Sequence, residues 1–238
     1  MKSIYLEILN SKKKGEKLLA ILIDPDKIQL GQLDNLIEKI NQSPATHVFV
    51  GGSLVETNLI DVIIKQIKQV CNLPILLFPG SPSQISKYAD GILFLNLISG
   101  RNPDYLIEHQ VNAVPILEKT NLEVISTGYV LIENGKQTAV ERVSQTKPLK
   151  RNNIDYVCQT AKAGEYMGNK LIYLEAGSGA EKAIPLVMIK EVSKKITIPL
   201  IVGGGITTKV GIQNAFSSGA DLVVIGTAFE NDINFFEA

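Results

Sequence analysis

Three short apolar runs in the last third of the chain each stop at glycine, and this recurrence constrains the fold more than any other feature. Leu171–Glu175 reads as a buried strand followed by a turn at Gly177-Ser178-Gly179. Pro199-Leu200-Ile201-Val202 runs into Gly203-Gly204-Gly205, and Leu222-Val223-Val224-Ile225 runs into Gly226-Thr227. A helix is expected after each turn, the first of them over residues 180–194. One such turn would read as a tight connection needing positive φ. Three in series match the late strand-end loops of a (β/α)8 barrel, which build a phosphate site at its C-terminal face. Turn amides that open a helix offer bare N–H groups beside the positive end of the helix dipole, where an anion is stabilised.

Upstream, strands are expected at 18–23, 47–50, 74–78, 92–97 and 123–132, the last interrupted by Thr127-Gly128-Tyr129. Helices are expected over 31–41, 56–70 and 153–167, with another starting at Pro103 and broken or kinked by Pro115. Pro79 and Pro82 leave room for only a shortened or absent helix after strand three. Residues 137–150 lack periodicity and read as an excursion or mobile loop over the barrel mouth. Residues 1–15 read as an amphipathic helix covering one end of the barrel rather than a signal peptide. The fold class is α/β, a (β/α)8 TIM barrel with residues 1–238 as a single domain, close to the usual size of about 250 residues. An open doubly wound sheet is the alternative, disfavoured because several strands, not one, end in glycine turns.

Charge and cysteine usage narrow the function classes. Lysine plus arginine equals aspartate plus glutamate at 24 each, so the basic footprint expected of nucleic-acid binding is missing. Cys71 and Cys158 form no metal or redox spacing and read as inert thiols, consistent with a cytoplasmic protein. No apolar run is long enough to span a bilayer.

Alternation along the strand puts Leu171, Tyr173 and Glu175 on one face, so a carboxylate stands beside the first glycine turn. Asp24 and Ser53 end strands one and two, which are neighbours in a barrel, and a carboxylate and a hydroxyl with substrate oxygens suit Mg2+. On spacing alone, Asp24 reads equally as an Asp-Pro turn or helix cap. Asp26 reads as a cap, and Lys27 either reaches a phosphate or is solvated. His47 starts its strand, the wrong end for a barrel active site, and His109 lies in a helix, so neither a Ser-His-Asp triad nor a zinc site is expected. With no lysine at a confident strand end, a Schiff-base mechanism is disfavoured. A divalent metal, a phosphate cradle and one carboxylate suit substitution at an activated carbon.

Asp24-Pro25-Asp26-Lys27, Gly51-Gly52-Ser53, Phe78-Pro79-Gly80, Thr127-Gly128-Tyr129, the YLEAGSG run at 173–179, Val202-Gly203-Gly204-Gly205-Ile206 and Gly226-Thr227 together resemble the geranylgeranylglyceryl phosphate synthase and heptaprenylglyceryl phosphate synthase family. The resemblance spans nearly the whole chain and rests chiefly on the 173–179 run with Asp-Pro-Asp-Lys upstream. It implies a prenyltransferase that joins sn-glycerol 1-phosphate to a polyprenyl diphosphate, releasing diphosphate. It assigns glycerol 1-phosphate binding to Tyr173, Leu174, Glu175, Ala176, Gly177, Ser178, Gly179, Gly204, Gly205, Gly226 and Thr227, and Mg2+ to Asp24 and Ser53. Glu175 becomes the residue that holds the glycerol hydroxyl, either as the base that accepts its proton or as a positioner alone. It also implies a homo-oligomer, and the lipid product makes loose membrane contact compatible with the reading.

A prenyl tail needs an apolar groove, for which Phe78, Phe94, Tyr105 and Tyr129 are candidate walls, although aromatic side chains near a barrel are more often plain core. Two other functions use the same phosphate turns. An isomerase or lyase of phosphorylated sugars would take Asp24 as a second acid or base. A non-catalytic phosphometabolite-binding protein would have to tolerate Glu175 beside its ligand.

Overall fold

Eight parallel strands close into a barrel in the computed structural model, which describes residues 3–28, 30–52 and 59–237. In chain order the elements are α1 (Ile4–Lys14), β1 (Leu18–Ile23), α2 (Leu33–Gln42), β2 (His47–Val50), α3 (Leu59–Val70) and β3 (Ile75–Leu77). There follow β4 (Gly91–Asn96), α4 (His109–Leu117), β5 (Glu123–Leu131), α5 (Ala139–Ser144), α6 (Ile154–Tyr166) and β6 (Leu171–Glu175). The chain continues with α7 (Leu186–Lys195), β7 (Leu200–Gly203), α8 (Lys209–Ser217), β8 (Leu222–Ile225) and α9 (Thr227–Asn231). Each strand pairs with the next, and β8 closes on β1 with Leu18 opposite Leu222 and Ile21 opposite Ile225.

Alternation along the strands divides the core in two. Ala20, Phe49, Leu76, Leu93, Ile125, Leu171 and Leu222 fill the barrel interior. Ile21, Val48, Ile75, Ile92, Ile172, Leu174 and Val223 face the surrounding helices. Both faces are buried, which is why the strands read as near-continuous aliphatic runs.

Helix α1 closes the N-terminal end of the barrel. Ile4 and Ile8 join the interior cluster, while Lys12 in the last turn pairs with Asp221 at 2.8 Å. Glu123, at the start of β5, accepts from Ser3 Oγ at 2.6 Å and from the backbone N–H groups of Ile4 and Tyr5, placing its charge at the positive end of α1. Ile8→Ala is expected to cost about 3 kcal/mol and lower the melting temperature by about 10 °C, because the side chain is fully buried and leaves a void. Thermal unfolding with a parallel activity assay checks this: kcat should hold at temperatures where the variant stays folded, since the residue lies at the end opposite the mouth.

Several sequence expectations change. The helix expected over 180–194 begins only at Leu186, with Pro185 at its N-cap. Residues 176–185 are instead an irregular loop, so the Gly177–Gly179 turn does not open a helix and offers amides without a helix dipole behind them. β5 runs unbroken through Gly128, where a Cβ would lie 2.8 Å from Asn169 Nδ2 and 2.9 Å from Ile172 Cδ1; the glycine is there for close packing, not to interrupt the strand. The segment 137–150 contains α5, with Thr138 Oγ1 accepting from Glu141 N at 3.1 Å and Glu141 accepting in return from Thr138 N. Six residues are too few to show periodicity, but Thr138-x-x-Glu141 is a capping box legible in the sequence.

The helical run containing Pro115 opens with a π turn over Asp104–Glu108 and stops at Leu117, two residues beyond the proline, which cannot donate the N–H bond of that last turn. Asp24, not Asp26, caps the short turn Pro25–Lys27. After β3 only the turn Pro82–Gln84 is helical, as expected. Cys71 directly follows α3 and Cys158 lies within α6, both as buried free thiols. Among the described residues no helix is long and apolar enough to cross a membrane.

Candidate active site

The C-terminal ends of the strands surround a cavity of about 430 Å³. Three glycine turns edge it: Gly177 and Gly179 after β6, Gly204 and Gly205 after β7, and Gly226-Thr227 after β8. Tyr173, Glu175 and Ser178 complete the β6 side. Leu174 and Ala176 do not reach the cavity; the same alternation that turns Glu175 inward packs them among the outer core residues.

Glu175 ends β6 almost fully buried, and its Oε1 accepts from the Gly177 amide. Burial raises its carboxyl to about 7, opposed by the Gly177 amide and the nearby Tyr173 hydroxyl. That hydroxyl lies beside the carboxylate without an aligned hydrogen bond to any described residue. The glycines of the β7 turn make the close approach feasible. A Cβ on Gly203 would lie 2.5 Å from the Tyr173 hydroxyl and 3.0 Å from Glu175 Oε2. Gly204, at φ 81, would put a Cβ against Glu175 Oε1 and 2.6 Å from the Gly177 amide nitrogen. Arg151 ties the following loop down, donating to Ala183 O at 2.8 Å and to Glu133 O at 3.1 Å.

Across the mouth, Asp24 accepts from Asp26 N at 3.3 Å and faces Lys27 Nζ at 3.4 Å. The cap reading and the site reading of Asp24 therefore both hold as geometry. A Cβ on Gly52 would lie 2.8 Å from Asp24 Oδ1, so the glycine keeps space open beside the carboxylate. Ser53 lies outside the described residues. Lys27 also bonds Glu230, a carboxylate in α9 that sequence reasoning did not single out. Burial raises the Glu230 carboxyl and the Lys27 charge opposes it; the Lys27 ammonium, disfavoured by burial, is held above its usual range by Glu230 and Asp24.

An apolar groove opens beside this cavity, between the segment after β3 and α4. Phe78, Phe94, Tyr105 and Tyr129, all named from the sequence, line it together with Ala113 and Val143. Gly52, Phe78, Tyr129 and Val140 line both groove and cavity, so the two meet there. Phe78, Tyr129 and Tyr173 pack at the junction with ring centroids 5.4–5.9 Å apart. Val140 was missed by the sequence reading because it sits on α5. His47, by contrast, is buried at the start of β2, where desolvation lowers its imidazole to about 4.

Over residues 11–237 the sequence matches the PcrB family. The chain belongs to the PcrB family. Among curated proteins it is 64% identical over 236 residues to a geranylgeranylglyceryl phosphate synthase of Flavobacterium johnsoniae, covering 99% of this chain and 97% of that one. A protein of the same name from Zunongwangia profunda is 50% identical, covering 97% of this chain and 98% of its own length. Among solved structures, (S)-3-O-geranylgeranylglyceryl phosphate synthase of Thermoplasma acidophilum, in complex with its substrate sn-glycerol-1-phosphate, matches with a TM-score of 0.94 at 31% identity. That match covers 100% of this chain and 96% of the other. A PcrB-family barrel with a polar mouth and an adjoining apolar groove thus has near relatives that share its fold over the full length.

Proposed function

We propose that the protein is a Mg2+-dependent prenyltransferase that joins sn-glycerol 1-phosphate to a polyprenyl diphosphate, geranylgeranyl diphosphate foremost, forming the ether of a lipid precursor and releasing diphosphate. The observation that carries this reading is the place of Glu175: its carboxylate stands in a cavity edged by glycine turns, next to the mouth of an apolar groove. Relatives named for this synthase activity, and a solved relative holding sn-glycerol-1-phosphate, support it.

In this reading the phosphate rests on backbone N–H groups of the turns at 177–179, 204–205 and 226–227, with Tyr173 and Ser178 at its edge. The free glycerol hydroxyl donates to Glu175. As its oxygen bonds to the first prenyl carbon, the bond from that carbon to diphosphate breaks, the electron pair leaves with diphosphate, and the hydroxyl proton passes to Glu175. A carboxyl held near 7 is matched to accepting that proton at neutral pH. The groove residues hold the tail and keep water from the reacting carbon.

The donor set at Asp24 fits magnesium: one hard carboxylate with open space beside it, which substrate oxygens and Ser53 would complete. Bound there, the ion would neutralise charge on the departing diphosphate. A homo-oligomer, a cytoplasmic location and loose membrane contact through the lipid product belong to the same proposal. A sugar-phosphate isomerase or lyase would use the same turns but leaves the apolar groove without an occupant.

The test is to incubate the protein with sn-glycerol 1-phosphate, Mg2+ and farnesyl, geranylgeranyl or heptaprenyl diphosphate, and to seek the ether product by mass spectrometry. Product is expected with at least one prenyl diphosphate, and EDTA should abolish it. Product that survives EDTA would remove the metal from the proposal; no product with any prenyl diphosphate would remove the transferase.

A further inference from the structure

Four carboxylates line the mouth cavity, those of Asp24, Asp26, Glu175 and Glu230, and among the described lining residues Lys27 supplies the one side-chain cation. An anion entering this cavity meets a field that opposes it unless the turn amides and that cation outweigh the carboxylates. Lys27 is 43% exposed, but its ammonium is paired rather than free. Its Nζ lies 3.1 Å from Ser178 Oγ, 3.1 Å from Glu230 Oε2 and 3.4 Å from Asp24 Oδ2. Ser178 belongs to the glycine turn after β6, and Glu230 follows the glycine turn after β8. A side chain rooted in the β1 loop thus meets the rim of the neighbouring β8 turn and of the β6 turn beyond it.

We propose that Lys27 binds the phosphate of sn-glycerol 1-phosphate, its ammonium closing the amide cradle from the β1 side, with Glu230 as the counter-ion that aims it. The inference rests on the functional reading above and deepens it. Backbone amides satisfy phosphate oxygens but carry no net charge, whereas an ammonium adds charge-assisted donors on a flexible stem that follows the phosphate. Ser178 and Glu230 lie on the cradle side of the mouth and Asp24, 3.4 Å away, on the metal side, so the KM for the prenyl diphosphate is what separates this role from one at the diphosphate.

Calorimetric titration of sn-glycerol 1-phosphate into the intact protein tests the proposal, alongside Lys27→Met, Lys27→Arg and the double variant Lys27→Met/Glu230→Gln. Lys27→Met is expected to weaken Kd by about ten- to a hundred-fold. Lys27→Arg should keep most of the affinity, and the KM for geranylgeranyl diphosphate should change less than threefold. The double variant should recover only a small part of the loss. An affinity of Lys27→Met within threefold of wild type, at an unchanged unfolding midpoint, overturns the proposal. Full recovery in the double variant also overturns it, because Lys27 would then only neutralise Glu230. If the unaltered protein binds no sn-glycerol 1-phosphate, the functional reading itself fails and the proposal falls with it.

Discussion

Replacing Glu175 by Gln is expected to lower kcat by about 10²–10⁴-fold, the range ordinarily lost with a positioned proton acceptor. The amide still accepts from the Gly177 N–H, so the local fold is kept while the proton acceptor is lost. Before the mutation, kcat/KM for sn-glycerol 1-phosphate should fall as pH drops through about 7, where the buried carboxyl titrates. The second ionisation of the phosphate ester, at about 6, stays in both proteins, so the limb that vanishes in the variant belongs to Glu175. Stability should move the opposite way. The folded carboxyl titrates near 7 against a model value of 4.5, so burying it charged costs nothing below 4.5 and progressively more up to 7. At pH 8 that cost is about 3 kcal/mol, and Glu175→Gln removes it. The variant should therefore melt higher than wild type at pH 8, with the difference closing towards pH 4.5. Paired thermal melts and pH–rate profiles check both; a variant with unchanged kcat would show that Glu175 does not accept the hydroxyl proton.

Gly204→Ala should damage fold and site together. The residue sits at φ 81, which an L side chain rarely adopts, and a Cβ there meets Glu175 Oε1 and the amide nitrogens of Ala176 and Gly177, the latter two at 2.8 and 2.6 Å. Two of these neighbours are backbone and cannot rotate away. A loss of about 3–5 kcal/mol is expected, read as a lower denaturant midpoint. In whatever fraction stays folded, binding of sn-glycerol 1-phosphate should fall at least about tenfold, because the turn must retreat from the carboxylate it is built around. Gly168→Ala is the control: its φ of 93 carries the same backbone penalty, but nothing lies within 4 Å of the added methyl. A Gly204 variant no worse than the Gly168 variant would show that the contact with Glu175 is unimportant.

Most strands were legible because they are runs of aliphatic residues buried on both faces, and β1 and β2 fall on the expected residues without adjustment. The face of Glu175 was legible too, since a period of two admits one answer once Leu171 and Tyr173 are assigned inward. Loops resisted the same reasoning. Residues 180–185 resemble the start of a helix in composition, yet Pro185 delays it, and Arg151 together with the β7 turn holds the segment irregular. Val140 entered the site on a helix too short to show a period.

By itself the sequence determined the barrel, the inward carboxylate at the end of β6 and the three glycine turns, because each follows from a local rule acting over a few neighbouring residues. Only the tertiary structure decided that the mouth and the apolar groove share Phe78 and Tyr129, and that Lys27 meets Ser178 and Glu230. Burial likewise decided that Glu175 titrates near 7. These outcomes depend on residues far apart in the sequence, or on how much water the closed barrel excludes, and neither quantity is encoded in the order of neighbouring residues.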